Sequence, residues 1–468
     1  MEFPMQKKKH NLPWARLSLI FIILISGIFF PNRTEAKEIS VELVWNFGQA
    51  GWAEIRVQSG SYQLSSPGNK DIALAPGELL QFGWGGWTPV WQAGGKGYQI
   101  FRGTEVELKM QEKGSFLLCT PDGKKAEYRG GLKVAWIGDH WRLTNNIDLE
   151  DYLKGVVPME MENGWAAQGL EALKAQSIAA RTYAVSHTQG GAVITDSPDH
   201  DQAYGGKKSE GDATAAVEAT KGEVLVDEVS NQPVDALYSA HNGGFSETAE
   251  NVWGKEDTHY TAHPDPFSEG IGGAADQWSF QISAIALGQR FGLDVINKIE
   301  LERYPSGRVK KVRMTDRYGQ ELILSGRKFV QKFYPFGEQI TSSAFLGSLF
   351  NVEFKSTGEG TGKNTQDSAK LNSPESDPQG FAKLQFEHLL HAVPQKQAGP
   401  LLGKIVSTGQ DTQQVAQPYG LYKFSGRGWG HGVGMSQWGA YNMAQQGYTY
   451  RQILDFYYSH TKVRKISN

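Results

Sequence analysis

From Ile39 to about Asn146 the chain alternates or bunches apolar positions in the short, turn-bounded runs expected of half-buried strands. Ser40 to Trp45, Ala53 to Val57, Tyr98 to Arg102 and Leu132 to Ile137 concentrate β-branched and aromatic residues. Gly51, Gly60, Pro67-Gly68, Gly85-Gly86 and Gly94-Gly95 separate them with turn chemistry. This predicts a β-rich region over residues 37–130. Trp84, Trp87 and Trp91 within it read as the core of a hairpin, with stacking on sugars as the alternative.

The period changes at Asp148. The stretch DLEDYLKGVVPMEMENGWAAQGLEALKAQSIAARTYAVSH, residues 148–187, carries two helical patterns around a turn. Asp148 is placed to cap the first helix, with Asp151 as its acidic capping partner. Pro158 disfavours helix at the residue before it, so this helix is expected to stop at Val157. The second begins near Trp165 or Ala166 and spaces Leu170, Leu173, Ser177, Ile178, Arg181 and Val185 by threes and fours. Ala172, Ala175, Ala179 and Ala180 let a neighbouring element approach its backbone. Glu160 then falls on a short connector between the two helices. An acid just ahead of a helix favours its positive end, which accounts for Glu162. Glu160 differs because Met159 and Met161 flank it, and an apolar setting raises a carboxyl's pKa toward that of a working proton donor.

Further on, a helix is expected from Asp212 to Lys221, then a strand pair, Glu223 to Asp227 with Val234 to Ser239. The loop His241 to Gly254 is dense in Gly, Asn and Ser, a composition that often carries function. Trp278 to Phe350 reads as α plus β, with a helix at Ala284 to Phe291 and strands at Arg308 to Met314 and Gln320 to Leu324. Ser356 to Gln379 is polar and poor in large apolar residues, the signature of a flexible linker. Glycines at 426, 428, 430, 432 and 434 alternate with Arg427, Trp429, His431 and Val433. If extended, this run puts all the glycines on one face, where a backbone or a glycan can lie flat. A helix from Ser436 to Gln446 stopped by Gly447, and a capping box at Thr449 and Gln452 opening a last helix, complete the α+β pattern.

The chain's 468 residues allow two or three domains. A net charge of −3 gives no basic field for nucleic acid. The single cysteine, Cys119, excludes an internal disulfide and a thiolate metal cluster. Lys7 to Lys9, the apolar run Leu17 to Phe30 and Ala36 form a signal-peptide pattern over 1–36. An exported protein follows, with an uncleaved N-terminal anchor as its one route to a membrane. Spacing removes several familiar sites. The glycine run fits no dinucleotide fingerprint, Thr361-Gly362-Lys363-Asn364 is no phosphate loop, and His388 and His391 lack the zinc-protease glutamate. Asp196, Asp199, His200 and Asp201 suggest a metal by type alone. No cofactor is called for.

YLKGVVPMEM, ALKAQSIAARTYA, the Gly-Gly to ENVWG loop and GRGWGHGVGMSQWGA, in that order, resemble the SpoIID/LytB family of cell-wall proteins. The resemblance runs from about Leu132 to Thr461 and implies a mixed SpoIID-like domain over 131–468 with a central cleft. It also implies two activities to choose between. One is lytic cleavage of peptidoglycan glycan strands stripped of their peptides, with Glu160 as the catalytic acid. The other is non-catalytic enhancement of a partner cell-wall amidase. Lys174, Arg181, Tyr204, His241, Asn242, Trp253, Arg427, Trp429, His431 and Gln437 are the residues assigned to substrate. For Lys174, Arg181 and Arg427, ion pairing within the fold is the competing reading. Family members that bind zinc have a cysteine where Asp201 stands, so no zinc is expected.

Overall fold

The computed structural model describes residues 37–466, apart from 46, 49–50, 86–87, 95–98, 334–344 and 357–419. The expected signal peptide, Trp87 and all of the expected linker after Ser356 lie outside the described residues.

The N-terminal strands form a seven-stranded and a six-stranded sheet. His140–Asp148 shows the alternation most clearly, burying Trp141, Leu143, Asn145 and Ile147 while the residues between face outward. It pairs antiparallel with Gly131–Ile137 on one side and Glu38–Glu42 on the other. The two sheets face each other across aromatic contacts: Phe82 of one meets Trp141 of the other edge-on, ring centres 5.3 Å apart. Glu38–Glu42 also pairs in parallel with Ile194–Thr195, beyond the helical pair. One apolar core therefore runs from Ile39 through Tyr152 and Ile178 to Tyr458, continuous across residue 130.

Helix α1 spans Leu149–Glu160, and Asp148 caps it by accepting the amides of Glu150 and Asp151, each at 3.0 Å. The Asp151 carboxylate binds Lys154 at 3.1 Å instead of acting in the cap. The expected stop at Val157 is corrected, because Pro158 lies inside the helix. Proline costs one amide donor and crowds the preceding turn, and here the helix has only two residues left to run. Val156, Val157, Pro158 and Met159 are all buried, and that packing holds the last turn. Gly155 is required by a close approach: a Cβ there would sit 2.5 Å from the Tyr204 ring.

Helix α2 spans Ala166–His187, starting where expected, with Ala172, Ala175, Ala179 and Ala180 fully buried. The helix Ala284–Phe291 and the strands Val309–Asp316 and Glu321–Ser325 also match expectation. They belong to a second apolar cluster, residues 275–429, built around Phe329, Phe345, Phe350 and Phe424. The expected strand pair after residue 222 forms only in part: Val226 bridges Pro233 antiparallel, with the Val234 amide on the Leu225 carbonyl and the Asp227 amide on that of Gln232. Glu223–Asp227 pairs with Thr461–Lys465, and Tyr238–Ser239 pairs in parallel with Met435–Ser436. The local bridge stops there, and distant partners complete each strand.

The glycine run is not a flat strand. Gly428, Gly430, Gly432 and Gly434 all take φ between 70 and 99°, which residues with a Cβ rarely adopt. The run closes against protein backbone, with Trp429 bridged to His241 and Val433 to Glu247. The expected glycine face is thus occupied by the 241–247 loop.

Candidate functional site

Helix α1 carries Glu160 to its last position, not to a connector, and leaves its side chain 8% exposed. Oε1 accepts the Ala203 amide at 3.0 Å, and Oε2 accepts the Gln437 side-chain amide at 3.4 Å. The Tyr238 hydroxyl also donates to this carboxyl. Three distant segments therefore meet on one acid. Ala203 follows the Asp-rich loop, Tyr238 enters on its strand, and Gln437 opens the helix that Ser436 caps.

Burial pushes the Glu160 carboxyl up to about 7, and the Ala203, Gln437 and Tyr238 hydrogen bonds pull the other way with less effect. The negative end of the α1 dipole acts in the same direction as burial. Near neutral pH the group is divided between its acid and base forms, which suits a proton donor that must later accept.

Glu160 opens into a pocket of about 450 Å³ whose walls include Trp45, Tyr183, Trp253, Trp429 and His431. A second hollow of about 580 Å³ continues from it, and Pro198, Asp199, Arg327, Gly430 and His431 line both. His431 Nδ1 accepts the Val433 amide at 3.0 Å. Burial, aided by the charge of Arg308, pushes this imidazole down to about 4, so it is neutral at pH 7. Its ring lies 4.9 Å from that of Trp253, which is 38% exposed.

Of the residues assigned from sequence, Glu160, Trp253, Trp429, His431 and Gln437 surround this pocket. The other six are placed elsewhere. Arg181 is fully buried, grips both Glu150 oxygens at 2.8 Å, and donates to the carbonyls of Val217 and Glu223. Lys174 pairs with Glu171 at 2.6 Å on the helix surface. Tyr204 is buried and donates to Asn145 at 3.1 Å. His241 is buried, accepting the Gly243 amide on Nδ1 and meeting the Ile271 carbonyl through Nε2. Asn242 donates to Asp265 at 2.7 Å. Arg427 pairs with Asp276 at 2.9 Å and lines a shallow cleft with Gly243 and Gly244, away from Glu160. Apart from Lys174, these side chains are engaged in tying segments of the fold together.

Trp45, Tyr238 and Arg327 line the site without having been singled out from the sequence. No spacing signal links them to Glu160, since only strand pairing and chain reversal bring them near. Asp196 and Asp201 serve the fold, while Asp199 is exposed at the pocket. Asp196 accepts the amides of Val44 and Trp45, and Asp201 accepts the Tyr183 hydroxyl at 3.0 Å and both donors of Thr195. Among the described residues no three His, Cys, Asp or Glu converge to hold a metal ion.

Residues 138–226 match the family model described as SpoIID, Stage II sporulation protein, a span that includes Glu160. The chain is 33% identical over 310 residues to an amidase enhancer of Bacillus subtilis, covering 66% of this chain and 40% of that protein. It is 26% identical over 342 residues to stage II sporulation protein D of the same organism, covering 68% of this chain and 75% of that protein. An uncharacterized protein of Brachyspira hyodysenteriae is 27% identical over 369 residues, covering 75% of this chain and 78% of its own length. The chain thus spans two fifths of the amidase enhancer's length.

Proposed function

Because this chain belongs to the SpoIID/LytB family, we propose that it is an exported peptidoglycan-remodelling enzyme that cleaves MurNAc–GlcNAc bonds in peptide-stripped glycan strands. Protonated Glu160 donates to the glycosidic oxygen, and the C1–O bond breaks to leave an oxocarbenium-like MurNAc. The MurNAc C6 hydroxyl then closes onto C1, and the Glu160 carboxylate takes its proton. The products are a free GlcNAc hydroxyl and a 1,6-anhydro end, with no water consumed. One carboxylate performs both transfers, unlike the carboxylate pair of a hydrolase.

The observation that carries this reading is a buried carboxyl, poised at about 7, on the wall of an aromatic pocket. Trp253 and Trp429 offer apolar faces to sugar rings, and the Ala203, Gln437 and Tyr238 donors fix the direction of the acid. The amidase-enhancer relative favours a second reading, in which the same groove holds glycan while a partner amidase does the chemistry.

Incubating stripped glycan strands with the protein and with Glu160→Gln, followed by mass analysis, separates the two. Anhydro ends from the wild type alone support the enzyme. No glycan products, together with faster amidase turnover on adding the protein, support the enhancer. Reducing ends in place of anhydro ends point to a hydrolase.

A further inference from the structure

The groove leading away from Glu160 carries positive charge that the fold leaves underused. Arg327 is an exposed side chain lining both hollows, with its guanidinium 5.8 Å over the Trp253 ring. Trp253 in turn abuts His431, so Arg327, Trp253 and His431 are layered where the two hollows meet. Among the described residues Arg327 makes no ion pair with a carboxylate.

Arg308 adds an independent observation in the second hollow. It is 2% exposed, and its Nη2 donates to the carbonyls of Asn242 and Phe245. Its Nε and Nη1 have no hydrogen-bond partner. Leaving two buried cationic donors unmet is costly. Glu247 acts on Arg308 through its charge, but its oxygens are taken by Ser306, Thr248 and Asn251. Lys310, also in this hollow, is paired with Glu302 at 3.0 Å. Asp199 is the exposed acid facing the same passage.

We propose that Arg327, backed by Arg308, binds a carboxylate carried by the saccharide that occupies this groove. The inference rests on the glycan reading above and names the feature of the strand that is recognised. A muramic acid residue bears a lactyl ether whose carboxyl is ionised at neutral pH when free and becomes a neutral amide when a stem peptide is attached. An exposed guanidinium beside a sugar-stacking indole distinguishes these two states by charge and by two-pronged geometry. Peptide removal is then sensed at Arg327 through the charge it leaves on the lactyl group.

The test uses full-length protein carrying Glu160→Gln, so that bound glycan is not consumed, and measures affinity calorimetrically for three probes. These are stripped strands with free lactyl carboxylates, the same strands converted to primary amides, and a neutral chitin oligomer. The acidic strands are expected to bind about tenfold more tightly than the amidated ones. Adding Arg327→Gln removes that preference and leaves affinity for the amidated strands unchanged, and Arg327→Lys restores part of it. Equal affinity for acid and amide strands in the protein with Arg327 intact overturns the inference and leaves the glycan reading standing. So does an Arg327→Gln loss of equal size on both. Failure to bind any of the three overturns both.

Discussion

Helix α1 ends in a carboxylate at both extremes, and the two are treated in opposite ways. At its first turn Glu150 meets the guanidinium of Arg181 through two bonds of 2.8 Å, and a core of carbonyls takes the remaining donors. At its last turn Glu160 meets an amide of the backbone, an amide of Gln437 and a hydroxyl, and faces a pocket. A two-pronged ion pair occupies both oxygens of Glu150, whereas burial among neutral donors leaves the Glu160 proton exchangeable near pH 7. Ten positions along one twelve-residue helix thus separate an ion-paired acid from one that faces a pocket. Position along the helix reinforces the difference. The positive N-terminal end welcomes Glu150, and the negative C-terminal end opposes ionisation of Glu160.

The sharpest break in that comparison is Glu160→Gln. It keeps the shape and one acceptor oxygen, as in the protonated acid, but cannot transfer a proton, so glycan cleavage should fall by about 10²–10⁴-fold with folding retained. Release of anhydro ends, measured beside circular dichroism, checks both halves. Arg181→Met should do the reverse. It strands Glu150 in the core and costs about 3 kcal/mol of stability by denaturant titration, with the residues at Glu160 untouched.

The third prediction concerns pH and stability. The folded-state pKa of Glu160 is raised, from 4.5 to about 7. Its contribution is therefore fully present below pH 4.5 and lost as pH rises to about 7. Glu160→Gln escapes this loss, so the variant should be more stable than wild type by about 3 kcal/mol at pH 8 and equal to it near pH 4. Melting curves at the two pH values decide this. Wild-type cleavage should likewise decline about tenfold per unit above pH 7, as the acid form is depleted. The smallest effect belongs to Gln437→Ala. It removes one donor to the ionised form, worth about 1 kcal/mol, and should move the alkaline limb of the pH–rate profile up by less than a unit.

Much of this architecture is legible from local pattern. The Asp148 cap, the start of α2 near Ala166, the helix Ala284–Phe291 and the capping box at Thr449 and Gln452 all follow from spacing and cap chemistry. The errors share a cause. Pro158 was expected to end α1, but the buried Val156 to Met159 turn outweighs one lost hydrogen bond. Lys174, Arg181 and Arg427 look alike as unassigned cations in a sequence, and only the folded chain reveals that each already has an acid. Arg327, with no motif around it, went unnoticed for the same reason.

The sequence alone determined that this is an α+β chain of the SpoIID/LytB type, and that an acid between two methionines at position 160 merits suspicion. Periodicity, capping and residue order are local or linear properties, and they survive in one dimension. Tertiary structure decided which side chains face Glu160, because Ala203, Tyr238 and Gln437 reach it from 43 to 277 residues away through strand pairing. It also decided the proton affinity of that acid. Desolvation depends on what surrounds a group in three dimensions, and no neighbour in the chain can report it.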